Sequence, residues 1–249
     1  MFTPTITNES TIAGIVKSDY RAADVFARYN INYCCAGNVT LEDACQAAGL
    51  DPEELKKELR RRSRVIEISP SLDFHNWKTD FLIDYIIHIH HAYLAGNLPG
   101  IRKVVEKFAL GHQSRYPYLA ELMKAFEKLC MEIIPHLDEE EKVIFPYIRQ
   151  LAHAFDDREP YAVLLVRTLR KSLDKTILHE QENIAKYLIE FRRLTNDYNP
   201  PRDACLTHRV ALAKLKELDQ DLNQHLYLEN EILFTRALSI EQQLIQNGI

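Results

Sequence analysis

Two stretches of the chain nearly repeat each other: "HLDEEEKVIF" at 136–145 and "HLYLENEILF" at 225–234. Each opens on His-Leu, carries a glutamate four residues after the histidine, and closes with an aliphatic pair and a phenylalanine. Residues four apart lie about 40° apart around an α-helix, so both side chains of each pair can face one spot. The spacing alone is common; its surroundings make it informative. Leu119, Leu122, Phe126, Leu129 and Ile133 step by three and four, and that stripe continues into His136, Glu140 and Val143. Ala211, Leu215, Leu218 and Leu222 run likewise into His225, Glu229 and Ile232. The polar pairs therefore fall on core faces. A carboxylate buried beside an imidazole costs several kcal/mol unless a cation or hydrogen bonds satisfy it. Two such pairs inside one core are most simply compensated by one metal ion or two.

The rest of the chain predicts the scaffold. Only seven glycines occur, which favours long helices over turn-rich sheets. Residues 1–64 read as a small N-terminal helical domain. "TLED" at 40–43 and "DPEE" at 51–54 are capping boxes, and Gly49 stops the helix between them. Residues 65–75 read as a linker. From 76 to 249 the texture is that of long helices broken at 111–117, 153–160 and 198–203, which predicts an antiparallel four-helix bundle. The fold class is all-α.

Register supplies the other ligands. Counted from Tyr116, where the second helix begins, His136 lies as deep in its helix as His91 lies when counted back from Gly111. In the second hairpin, His225 lies 24 residues after Pro201 and His179 lies 20 before Asn199, depths that differ by about one helical turn. Equal distances from an antiparallel turn mean equal height. His91, His136, His179 and His225 are thus predicted to form one layer, with Glu140 and Glu229 a turn away and best placed to bridge two metals. Ligation rich in nitrogen and free of thiolate suits iron, with manganese and zinc as the other candidates.

A net charge of −5 argues against nucleic acid as a partner, and the basic run at 60–64 reads as a solvated helix end. No apolar run reaches the length of a membrane span, and the first residues lack a secretory pattern. Five cysteines, Cys34 and Cys35 adjacent, do not make a disulfide framework, and a cytoplasmic location is expected.

These motifs resemble those of the haemerythrin-like HHE family. "HLDEEEKVIFP" matches its His-x-x-x-Glu, aliphatic, Phe-Pro pattern, while the second copy has Thr235 in place of proline. "IIHIHHAYL" is similar to the family's first-helix motif and "ILHEQEN" to its third. "YNINYCCAGNVTLEDAC" resembles the N-terminal stretch of the repair-of-iron-centres proteins, with Ala36 where a glycine is usual. The resemblance implies a haemerythrin-like bundle holding two iron ions, a non-haem di-iron centre that an oxo bridge could join. Its ligands would be His91, His136, Glu140, His179, His225 and Glu229, although Leu178 stands where the family has an acidic residue. It further implies damaged iron–sulphur proteins as partners, with nitric oxide or oxygen species as small ligands, and Cys34 and Cys35 as the working thiols. The residues themselves leave those cysteines open between redox exchange, transient iron ligation and simple burial. Whether the chain is an enzyme stays open; the reaction in question is cluster repair with nitric oxide reduction at the di-iron site. The alternative is a haemerythrin-type oxygen or nitric oxide binding or sensing protein. A homodimer is compatible with either reading.

His88 and His90 rival His91 for the first-helix place. His91 sits amid Ile87, Leu94 and Leu98, whereas His88 follows Asp84 by four residues on a flank. His112 is separated from His91 by about 30 Å along a straight helix, too far to share a metal. His75, His153 and His208 are expected at the surface, Glu182 in solvent, and Cys130 and Cys205 in structural roles.

Overall fold

The computed structural model describes residues 6–33, 38–62, 72–169 and 176–247, with the backbone alone for 62, 169, 176–181 and 247. Four short helices come first: α1 (Ile12–Ser18), α2 (Ala22–Arg28), α3 (Leu41–Ala48) and α4 (Pro52–Arg62). Local chemistry sets their ends. Thr40 Oγ1 accepts the Asp43 amide at 3.1 Å, and Gly49 closes α3 with a φ of 67°, where a β-carbon would be strained. Asp51 Oδ1 caps the Glu53 amide at 2.9 Å. Gly14 is required for space, since a β-carbon there would meet Thr11 Oγ1 at 2.8 Å. Replacing Thr40 by alanine should destabilise this unit by about 1 kcal/mol, read as faster amide exchange across α3 with the bundle unaffected.

The bundle follows as long rods. The first joins α5 (Thr79–Tyr85) to α6 (Ala92–His112), and the second joins α7 (Leu119–Glu139) to α8 (Phe145–Asp156). On the third side lie α9 (Ala162–Leu169) and α10 (Thr176–Thr195), and the last rod joins α11 (Leu206–Tyr227) to α12 (Thr235–Asn247). The predicted all-α bundle is what forms, and α6 runs unbroken through Pro99 and Gly100. No strand occurs among the described residues beyond an isolated Thr11–Thr40 bridge. The expected boundary at 64 and most of the expected linker fall outside the described residues.

Between its halves each of the three complete rods contains a π turn: Ile86–His91, Glu140–Ile144 and Leu228–Phe234. The Ala92 and Phe145 amides reach carbonyls five residues back, at Ile87 and Glu140. One extra residue per turn rotates everything beyond it. This corrects the expected stripe on the second rod: Ile144 and Phe145 are buried where Val143 was expected.

The apolar core is split accordingly. One cluster, including Leu94, Phe108, Phe126, Ile133, Phe191 and Leu222, fills the half near α6, α7, α10 and α11. Another, including Ile86, Phe145, Ile148, Val166 and Leu233, fills the half near α5, α8, α9 and α12. A third belongs to α1–α4 and takes in Val210 of α11, with Val104 and Leu206 against it. The N-terminal unit therefore rests on the turn end of the bundle. Lys214 Nζ holds Asp24 at 2.6 Å and Tyr20 donates to Glu217 across the seam. Along α11 the seam runs from Val210, about 22 Å before His225, to Glu217, about 12 Å before it.

Candidate metal centre

The gap between the two apolar clusters is filled by polar side chains. His91 comes from the first π turn, His136 and Glu140 straddle the start of the second, and His225 and Glu229 straddle the start of the third. All five are buried, with Glu140, His225 and Glu229 fully enclosed. One donor atom from each of His91, Glu140, His225 and Glu229 lies within 4.8 Å of the others. His136 Nε2 stands 3.1 Å from Glu140 Oε1, and His225 Nε2 stands 2.8 Å from Glu229 Oε1. His91 Nε2 faces His225 Nε2 at 3.2 Å and Glu140 Oε2 at 3.5 Å. Three imidazole nitrogens and two carboxylates thus converge on one small volume.

This donor set fits a cation. Neither oxygen of Glu140 accepts a well-aligned hydrogen bond, although the side chain is fully buried. Such a group is costly to bury unless something positive binds it. Burial pushes Glu229 well above the usual carboxylate range, and the neighbouring Glu140 charge adds to that. Burial would raise Glu140 too, but the His136 and His91 imidazoles hold it below its ordinary value. Without a cation the two carboxylates divide one charge between them. Burial also pushes His225 down to about 4, which keeps its ring neutral and its lone pair free for ligation. On the far side of His91, Nδ1 meets Glu141 Oε1 at 2.8 Å, an outer carboxylate that orients the ring.

Five of the six expected ligands are therefore brought together. The sixth, His179, lies on α10, and its side chain is outside the described residues, as are Cys34 and Cys35. His88 and Glu182 are exposed, as expected. His90 was weighed only as a rival, yet it is 1% exposed, with Nδ1 3.0 Å from Asp221 Oδ1 and its ring 6.0 Å from that of His225. The π turn puts consecutive histidines inside, and neither His90's burial nor Glu141's supporting contact has a signal in helical periodicity. His75 and His153 are exposed. His208 is a correction: it is fully buried, stacked on Phe108 at 4.3 Å with Nε2 3.1 Å from the Tyr118 hydroxyl. It sits in the first turn of α11, facing the apolar end of the bundle rather than solvent. His112 stays at the turn end, apart from the layer.

Fold and site define a haemerythrin-type helical bundle built around a cation. The sequence pattern described as "Hemerythrin HHE cation binding domain" matches residues 82–237, and that described as "Domain of Unknown function (DUF542)" matches residues 8–62. The chain belongs to the haemerythrin HHE cation-binding family, in its two-part repair-of-iron-centres branch. It is 26% identical to the iron-sulfur cluster repair protein ScdA of Staphylococcus haemolyticus, covering 93% of this chain and 99% of that protein. It is 28% identical to a probable iron-sulfur cluster repair protein of Haemophilus influenzae, over 88% and 92% of the two chains. It is 29% identical to the iron-sulfur cluster repair protein YtfE of Escherichia coli O157:H7, over 89% and 93%. No helix among the described residues is long and apolar enough to cross a membrane.

Proposed function

We propose that the chain is a cytoplasmic di-iron protein that takes part in repairing iron–sulphur clusters damaged by oxidative or nitrosative stress. The observation that carries this reading is the buried convergence of His91, His136, Glu140, His225 and Glu229 in a chain aligned nearly end to end with proteins named for cluster repair. These five, with His179 as the sixth, would hold two iron ions, Glu140 and Glu229 being the carboxylates with oxygens to share between them. When bound, the irons supply a redox couple and an open position for a small ligand such as nitric oxide or an oxygen species. The protein's own part is separable from that chemistry. The two apolar clusters exclude water from the layer, Glu141 fixes the His91 ring, and the neutral His225 offers its nitrogen without first losing a proton. Cys34 and Cys35 are proposed to contact the damaged protein and pass iron or electrons.

The test is reactivation of an aconitase-type enzyme inactivated by nitric oxide, with metal analysis of the purified protein alongside. Reactivation faster with the protein than without it, and about two irons per chain, are expected. Equal reactivation with and without it sinks the repair reading. If iron and reversible gas binding persist in that case, a haemerythrin-type carrier or sensor remains.

A further inference from the structure

At the turn end of the bundle, His112 closes α6 and Cys205 is the residue before α11. Their side chains meet, with Cys205 Sγ 3.2 Å from His112 Nε2. The other ring nitrogen, Nδ1, lies 3.1 Å from the Phe108 carbonyl oxygen. A carbonyl only accepts, so Nδ1 carries the hydrogen, and in the neutral ring Nε2 keeps its lone pair for the thiol. The arrangement is that of a nucleophile, a base, and a third group that fixes the tautomer of the base. The sulphur makes no capping bond to the helix's own amides, which leaves it to the imidazole. It also stands at the N-terminal end of a long helix, where the backbone field favours negative charge. His208, one turn further on, does not compete for the proton. Its Nε2 is engaged by Tyr118, and burial, helped by His112, pushes it down to about 4. Cys205 and His112 are each half-buried, within reach of a small reagent.

We propose that Cys205 and His112 form a reactive thiol–imidazole pair whose substrate class is low-molecular-weight disulfides of the glutathione type, making Cys205 a site of reversible S-thiolation. In the step, Cys205 Sγ attacks one sulphur of the disulfide while His112 Nε2 takes the thiol proton. The Cys205–sulphur bond forms, the reagent's own S–S bond breaks, and the second half leaves as a thiolate that takes the proton back from the imidazolium. No external electron enters or leaves, as in any thiol–disulfide exchange. The pair lies about 30 Å along the first rod from His91, and so is independent of the His/Glu layer. It adjoins Leu206, which packs against the N-terminal unit, so an adduct there sits at the seam between the two parts.

The test uses the full-length protein in its metal-bound form, incubated with glutathione disulfide near neutral pH, with each cysteine followed by peptide mass spectrometry. Cys130 is the internal reference: it too is half-buried, but on α7, where burial pushes its thiol up to about 11. Cys205 is expected to acquire the adduct at least about tenfold faster than Cys130, and His112→Gln to slow Cys205 by about a hundredfold, the lower end for loss of a general base. Equal rates at the two cysteines, or an unchanged Cys205 rate in the variant, overturn the proposal. If His112→Gln fails to fold by circular dichroism, the wild-type rate ratio decides alone.

Discussion

Stripping the cation from the protein is expected to lower its unfolding temperature by about 10 °C. A ligand present at a thousand times its dissociation constant stabilises the folded state by about 4 kcal/mol, and each kcal/mol moves the midpoint of a chain this long by about 2–4 °C. The loss has a local cause, because the stripped layer leaves two fully enclosed carboxylates facing each other among imidazoles. Glu229→Gln separates this explanation from a general loosening. The substitution keeps the volume and removes an acid whose ionised form the metal-free layer disfavours, so the metal-free variant should be at least as stable as the metal-free parent. Its gain on adding metal should be far smaller. Calorimetry of the four species checks the crossing, and a variant less stable than the parent in both states would contradict it. Affinity should also weaken as pH falls. Glu229, raised by burial and by the charge of Glu140, holds a proton that the cation must displace, and acid favours that proton. His225, already neutral, adds no such dependence near neutral pH.

The second large effect is expected away from the centre. Arg192 of α10 clasps Asp219 of α11 with two hydrogen bonds of 2.6 Å each, and Asp219 is only 4% exposed. Arg192→Ala leaves a buried carboxylate without its counter-charge, a change that costs about 3–5 kcal/mol when both partners are enclosed. Arg192 is itself partly open and Asn223 also donates to Asp219, which places the expected cost nearer about 2–3 kcal/mol. The neighbouring Arg193→Ala is the control. Its pairs with Glu190 and Glu121 lie in solvent, so the change should be within about 0.5 kcal/mol. Urea unfolding of both variants reads the difference directly. A comparable loss in the two would mean that exposed and enclosed pairs count alike here, contrary to the burial seen.

Much of the bundle was legible in the chain because helical periodicity projects onto space without reference to anything distant. The stripes from Leu119 to Ile133 and from Ala211 to Leu222 are buried throughout, and counting from the turns brought His91 to the level of His136 and His225. What periodicity could not carry was any change in the period itself. The π turns shifted the stripe beyond Glu140 from Val143 to Ile144 and Phe145 and drew His90 inside beside His91. Long-range partners were equally invisible. Lys214 meets Asp24 from 190 positions away in the chain, and His208 reads as a surface histidine until Phe108 and Tyr118 close around it.

The π turns bear on how such a chain can vary. Each complete rod carries its extra residue at the same height, so the parts above and below are clocked against one another like sections of a jointed shaft. Deleting one residue within Glu140–Ile144 would turn all of α8 by about 100°, carrying Ile148 and Leu151 off their packing face while leaving α7 where it is. Insertions and deletions should therefore be absorbed at the helix ends, and the equator of the molecule should keep its length even where its side chains change.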